Sequence, residues 1–244
     1  MGSNKVISFS LYGTNLKYIK GLFYNIELAE LIYPDWLIYV YHDDSVLESD
    51  LEKLSLIKNV SLINKSGSGI PGMFWRFMVY DDKSVQCFIV RDADSRITIR
   101  EKMAVDEWLK SNKKLHIMRD HPDHFFSILG GMWGLKVDNK FSMIDKIKKY
   151  LIEKRISADL GIRWEDMWFL EEMIYRTYYF SKIVHDTYFN YFSIRKYLKK
   201  IYKLKFLYLL EFSCRKFPAK RIGDNFVGEI FDENNYRNDD YKKL

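Results

Sequence analysis

Two carboxylates stand two residues apart at Asp92 and Asp94, directly after the apolar run Phe88-Ile89-Val90 and between Arg91 and Arg96. On an extended backbone, side chains at i and i+2 project to one side. Both acids can therefore face one point just past the end of a buried strand, where open α/β sheets take their ligands. Like charges at such close range repel unless a positive charge lies between them. A hard divalent cation, Mg²⁺ or Mn²⁺, meets that need, because it prefers carboxylate oxygens and commonly carries a substrate diphosphate as co-ligand. The plainer reading is a polar turn in which Arg91 and Arg96 neutralise the two acids, and a lone Asp-x-Asp is too short to choose between them.

Other groups able to do chemistry are scattered. Asp120, His121, Asp123 and His124 crowd one polar connection, and Glu165-Asp166 opens a helical pattern. His185-Asp186 closes a strand-like run, while Asp43 and Asp44 close another. Each has a structural alternative: acids at a helix start complement the helix dipole, and a histidine at a strand end serves as hydrogen-bonded scaffold. His116, His121 and His124 do not stand at zinc-ligand spacing on any predicted element. Residues 66–72, Ser-Gly-Ser-Gly-Ile-Pro-Gly, make a flexible loop. They match neither the Walker pattern nor G-x-G-x-x-G, so no phosphate cradle is assigned to them.

The elements that must position these groups alternate. Residues 6–11, 36–41 and 60–63 read as strands, with helices expected up to residue 32 and over 46–57. Such alternation indicates a mostly parallel sheet with helices on both faces. A short helix at 74–80 carries Trp75-Arg76-Phe77 back to the strand at 88–90. Further on come a helix over 100–111, a strand at 115–118, and an apolar stretch at 128–135 broken by Gly130, Gly131 and Gly134. Glycine inside a strand marks a bulge or a close approach to the backbone. Helices are expected over 141–154 and 166–175, the latter with Trp168, Phe169, Met173 and Ile174 on its apolar side, before a last strand at 183–186. Residues 192–212 form an amphipathic pattern, with Ile194, Tyr197, Leu198, Ile201, Leu204 and Tyr208 along one stripe and lysines opposite. Residues 233–244 are polar and expected to be a flexible tail.

With 244 residues, 48% of them hydrophobic, the chain suits a catalytic body over 1–189 and a basic helical appendage over 190–232. Its net charge of +6 is concentrated: residues 190–221 hold ten Lys or Arg against Glu211, so the remainder is close to −3. That stretch can lie on anionic lipid, pack on the body, or bind nucleic acid, although no nucleic-acid motif supports the last. No run of roughly 18 apolar residues is present, the start lacks the features of a secretory signal, and Cys87 and Cys214 are too few for a disulfide framework. A cytoplasmic protein, peripheral on the inner membrane face at most, is the expectation.

Taken together, the chain resembles the nucleotide-sugar-dependent glycosyltransferases of the GT-A fold. The resemblance is carried by Ser8-Phe9-Ser10-Leu11-Tyr12-Gly13, by Phe74-Trp75-Arg76-Phe77 followed by the block from Ile89 to Arg96, by His121-Pro122 with Gly130-Gly131-Met132-Trp133-Gly134, and by Phe217-Pro218 and Phe226-Val227-Gly228. It covers roughly residues 6–230 and is similar to a group of small bacterial and large-virus enzymes. The motif order also parallels the glycogenin-like family, with Glu165-Asp166 before Trp168-Phe169-Leu170 and then His185. Two departures stand out: Met167 follows Asp166 where that family has glutamine, and His185 lacks the downstream Gly and Lys-Pro-Trp.

The resemblance implies a sheet of GT-A, Rossmann-like α/β type and transfer of a sugar from a nucleotide sugar, a UDP-sugar favoured, to a glycan or lipid-linked acceptor. It implies Asp94 as direct ligand of Mn²⁺ or Mg²⁺, Asp92 acting through water or the ribose hydroxyls, and His185 completing the metal set. Ser10, Leu11, Tyr12 and Asp43 are expected along the nucleotide, with Arg76 and Arg91 on the diphosphate or orienting the acids. If transfer inverts the anomeric centre, Asp166 is the first candidate base, with Asp120, Asp123 and Glu165 behind it. The enzymatic rival is a nucleotidyltransferase making such a sugar, although Tyr12-Gly13-Thr14 is not its usual lysine-containing glycine loop. The non-enzymatic rival is a membrane or nucleic-acid adaptor organised around 190–221.

Overall fold

A computed structural model describes residues 3–156, 164–188 and 214–238. Among these described residues eight strands form one sheet. They are β1 (Asn4–Leu11), β2 (Leu37–His42), β3 (Val60–Asn64), β4 (Val85–Val90), β5 (Leu115–Arg119), β6 (Trp133–Lys136), β7 (Lys182–Asp186) and β8 (Cys214–Arg215). The helices are α1 (Leu16–Ile32), α2 (Glu48–Ser55), α3 (Gly72–Trp75), continued by a 3₁₀ turn at Arg76–Asp81, α4 (Ile99–Lys110), α5 (Met143–Lys154) and α6 (Glu165–Phe169). The spatial order is β3-β2-β1-β4-β6-β5-β7-β8, parallel except for β6, which runs antiparallel to both neighbours. This is the GT-A, Rossmann-like α/β arrangement that the sequence led us to expect.

The chain lays down β1, β2 and β3 in one direction and then returns to place β4 on the other side of β1. The loops leaving the carboxyl ends of β1 and β4 both lead to helices on one face, α1 and α4, and the cleft lies at those strand ends, where the strand order reverses. Alternation along β1 sorts its side chains between the two faces of the sheet. Ile7, Phe9 and Leu11 join the cluster under α1 and α4, and Val6 joins the cluster under α3, α5 and α6. Ser8 and Ser10 point to the second face as well, and both hold the 3₁₀ turn: Ser8 Oγ donates to the Arg76 carbonyl at 2.7 Å, and Ser10 Oγ accepts from the Arg76 amide at 3.0 Å. From Cys87 to Val90 the strand β4 is buried on both faces, which explains the unbroken apolar run there.

Two expectations change in detail. The helix predicted over 166–175 is α-helical only to Phe169 and continues as a π-helix over Leu170–Tyr175. The wider turn brings Leu170, Ile174 and Tyr175 to the core, while Trp168, in the α-helical turn before it where Asp166 and Phe169 face inward, is 48% exposed, off the apolar side assigned to it. Glu233–Asn238, the described part of the expected tail, is bonded to the body: Phe231 pairs with Arg237, and Arg96 Nε donates to Asn235 Oδ1 at 2.8 Å. The basic amphipathic pattern at 192–212 lies outside the described residues. Among the described residues no helix is long and apolar enough to cross a membrane.

Candidate functional site

A cleft of about 630 Å³ opens at the carboxyl ends of β1 and β4. Of the residues proposed from sequence, Ser10, Tyr12, Arg76, Asp92, Asp94, Asp123 and Asp166 line it. Arg76 is the pivot. The residue is 8% exposed, and its guanidinium bonds Asp92 Oδ1 through Nη1 and Asp166 Oδ2, at 3.0 Å, through Nη2. Both forks of the guanidinium are thus taken by carboxylates, so Arg76 orients acids separated by 74 positions in the chain. Asp94 pairs with Lys17, at 2.7 Å, from the first turn of α1.

The neutralisation of the acidic pair by Arg91 and Arg96, considered above, is not what the structure contains. Arg91 is buried and bonds Glu101 at 2.9 Å inside the fold, away from the cleft, which removes it from the phosphate-binding candidates. Arg96 lies over the rings of Tyr24 and Phe231. The loop itself is fixed by a residue the sequence reading passed over. Asn25, buried on α1, donates to the carbonyls of Ala93 (3.1 Å) and Ser95 (2.8 Å) and accepts from the Ile97 amide at 3.0 Å. The signal that could have found it was a lone amide on an otherwise apolar helical stripe.

The antiparallel register explains the glycines. Val90 pairs with Trp133, so Gly131 falls opposite Asp92 and Gly130 beside it. A β-carbon on Gly131 would run into the Asp92 carboxylate and lie 2.7 Å from its amide nitrogen. One on Gly130 would meet the Asp166 carboxylate and stand 2.7 Å from Arg76 Nη2. The close approach predicted at these glycines is therefore made by the acids themselves. Gly131→Ala is expected to displace Asp92, side chain and backbone together, lowering turnover about 100-fold, since a shift of ~1 Å in a reacting group has that effect, and lowering the melting temperature as well, because the Asp92 amide must also move. Steady-state kinetics beside a thermal melt checks it.

Burial, and secondarily the charge of Asp92, holds the Asp94 carboxyl above the usual carboxylate range. Burial does the same for Asp166, against the opposing pull of Arg76. Both ionise more readily with further positive charge nearby. Arg76 takes one oxygen of Asp92 and Lys17 one of Asp94, which leaves the second oxygen of each outside the ion pairs. A pair of carboxylates is donor chemistry that fits a hard divalent cation whose shell is completed by phosphate and water.

Other expected participants lie elsewhere. His185 is fully buried and bonds His116 at 2.9 Å and Glu107 at 3.4 Å beneath α4, so it does not join Asp92 and Asp94. Among the described residues no group of three or more His, Cys, Asp or Glu side chains is placed to hold a metal. Asp120 is also absent from the cleft lining. Its fully buried carboxylate accepts from Arg100 at 2.8 and 2.9 Å, from Arg221 at 3.0 Å, from the Val227 amide at 3.0 Å and from Thr187. That arrangement makes it an anchor for the C-terminal segment, whose Phe226, Gly228 and Ile230 form one wall of the cleft. Leu11 packs in the core beneath α1, with its side chain turned from the cleft. Asp43 caps its own turn through the Ser45 amide (3.1 Å), and Ser45 Oγ in turn accepts from the Gly13 amide at 2.6 Å. Glu165 accepts from Tyr150 at 2.9 Å.

Burial pushes His116 and His185 below the ordinary histidine range, and His124 down to about 3. The unfolded chain gains these protons near pH 6.5 while the folded chain resists them. Stability is therefore expected to fall as pH drops below ~6.5 toward the depressed folded values, by at most about 4 kcal/mol per pH unit for the three together. Urea midpoints at pH 7, 6 and 5 measure this, and a flat profile would contradict it.

Comparison with known proteins agrees with the fold. The galactosyltransferase LgtC, in complex with donor and acceptor sugar analogues, superposes with a TM-score of 0.51 at 10% identity, over 86% of this chain and 84% of that one. An active-site mutant of LgtC gives 0.52 at the same identity and coverage. The mannosyltransferase PcManGT from Pyrobaculum calidifontis, in complex with GDP-Man and Mn²⁺, gives 0.48 at 11% identity, over 76% of this chain and 55% of that one. At 10% identity the likeness to LgtC is one of fold. No family model and no curated protein matches the chain.

Proposed function

We propose that the cleft binds a nucleoside diphosphate sugar, a UDP-sugar in the first instance, together with Mn²⁺ or Mg²⁺, and transfers the sugar to a hydroxyl of a glycan or lipid-linked acceptor. The observation that carries this reading is the meeting of Asp92, Asp94, Arg76 and Asp166 in one cleft at the point where the strand order reverses. Asp92 and Asp94 would hold the cation, which supplies positive charge where the departing diphosphate gains negative charge. Arg76 keeps the Asp92 carboxylate aimed, through a backbone that Ser8 and Ser10 fix. Tyr12 is 43% exposed at the cleft, edge-on to Trp75 with ring centroids 5.8 Å apart, and offers a face to the nucleobase. Asp166, whose carboxyl burial holds above the ordinary range, would take the acceptor proton in an inverting transfer. Asp123, at the rim with a side chain 67% exposed, is second. The basic stretch before residue 214 would draw the enzyme to an anionic membrane where the acceptor is lipid-linked.

A thermal-shift screen of nucleotide sugars with and without Mn²⁺ tests the reading. Ligand at ~100 times its Kd adds about 2.7 kcal/mol to the native state, so a UDP-sugar is expected to raise the melting temperature only with Mn²⁺ and only in protein retaining Asp94. No shift with any nucleotide sugar would overturn the proposal. Release of the nucleoside diphosphate, as opposed to pyrophosphate, separates it from nucleotidyl transfer.

A further inference from the structure

Among the described residues most large aromatic side chains are buried, yet one contiguous group at the cleft is not. Phe125, Trp164 and Trp168 are 43%, 49% and 48% exposed, and all surround the half-buried Phe126. Phe125 stacks on Phe126 with centroids 5.0 Å apart and planes at 25°, Trp168 meets it edge-on at 5.4 Å and 77°, and Trp164 is tilted at 6.3 Å. Single exposed apolar residues are ordinary, but a joined set at the mouth of a cleft marks a place where something binds. Phe125, Phe126 and Trp164 line the cleft itself, beside Asp123 and Asp166. Trp164 also takes a left-handed backbone conformation, φ +70°, two residues before Asp166.

We propose that Phe125, Phe126, Trp164 and Trp168 form a carbohydrate subsite that takes a pyranose ring of the acceptor by its C–H face. The inference rests on the glycosyl-transfer reading of the cleft and deepens it by assigning the acceptor side. Aromatic faces carry partial negative charge and attract the polarised axial C–H groups of a pyranose. The adjoining carboxylates of Asp123 and Asp166 are acceptors for its hydroxyls. A neutral polyol suits both halves of that surface. An anionic membrane suits only the rings, because the same carboxylates would repel its headgroups.

Saturation-transfer NMR on the full chain, with lactose, maltose and cellobiose as probes, tests the subsite. At least one disaccharide is expected to show transfer to its ring C–H protons, weakened about tenfold or more in affinity by Phe125→Ala/Trp168→Ala, a loss near 1.4 kcal/mol. Trp168→Phe should retain most of the signal. Both side chains are about half buried against Phe126, so the double variant should melt a few degrees lower, and unchanged UDP-sugar binding with Mn²⁺ shows that its fold is intact. Three results would overturn the subsite: no disaccharide binding to wild type at millimolar concentration, equal binding by the double variant, or a loss confined to phosphatidylserine vesicles. Failure of wild type to bind any nucleotide sugar, measured on the same samples, would instead overturn the glycosyl-transfer reading.

Discussion

Asp94→Ala is expected to lower kcat/KM by ~10³ or more, about 4 kcal/mol of transition-state stabilisation, and to abolish Mn²⁺-dependent binding of the nucleotide sugar. The fold should survive. The Asp94 carboxyl is held above its ordinary range by burial, so its removal relieves a desolvated charge, and Lys17, with a side chain 26% exposed, can turn to water. Asp94→Asn keeps the shape and loses the charge, and should be nearly as inactive. Calorimetric titration with Mn²⁺ and UDP, beside a urea melt, separates the two effects. Asp94→Ala protein that still binds the nucleotide in a metal-dependent way would show the cation to be held by other groups.

Asp120→Ala is expected to have the largest effect on stability. Removing one member of a buried ion pair costs about 3–5 kcal/mol, and here Arg100 and Arg221 would both lose their shared partner. Burial acts to raise the Asp120 carboxyl, but the hydrogen bonds from Arg100, Thr187 and the Val227 amide outweigh it and hold it below the ordinary range. Its contribution is therefore complete above pH ~4 and lost as pH falls through the lowered value. Loss of the anchor should free the wall made by Phe226, Gly228 and Ile230 before the sheet opens. Hydrogen exchange is the direct measurement: amides of residues 226–231 should exchange faster in the variant while those of β4 stay protected. Unchanged exchange throughout would show the segment to be held by its apolar contacts alone.

What was legible in the sequence was local. The strands β1 to β4 follow from apolar runs closed by turn residues, and the acidic pair follows from an i, i+2 spacing that needs no tertiary knowledge. Arg76 carried its own signal, a charge inside an apolar helical turn, but its partners lie 16 and 90 positions away. Lys17 gave none, since a lysine early in a helix is ordinary. His185 illustrates the opposite error. A strand-terminal histidine before an acid reads as a site residue, but strand alternation turns it to the face under α4, where His116 and Glu107 complete its bonding. The titratable residues at 119–124 looked equivalent along the chain. Folding separates them: Asp120 goes to the interior, and Asp123 and His124 to the cleft.

The strap formed by residues 226–231 also has a consequence for synthesis. The acids, the pivot arginine and the glycines have all been translated by residue 166, but the last side of the crevice comes from a stretch made some sixty positions later, where Phe231 donates to the carbonyl of Asp94 at 2.9 Å. A nascent polypeptide on the ribosome thus carries the acids, Arg76 and the glycines of the cleft well before residues 226–230 are made to close its remaining side.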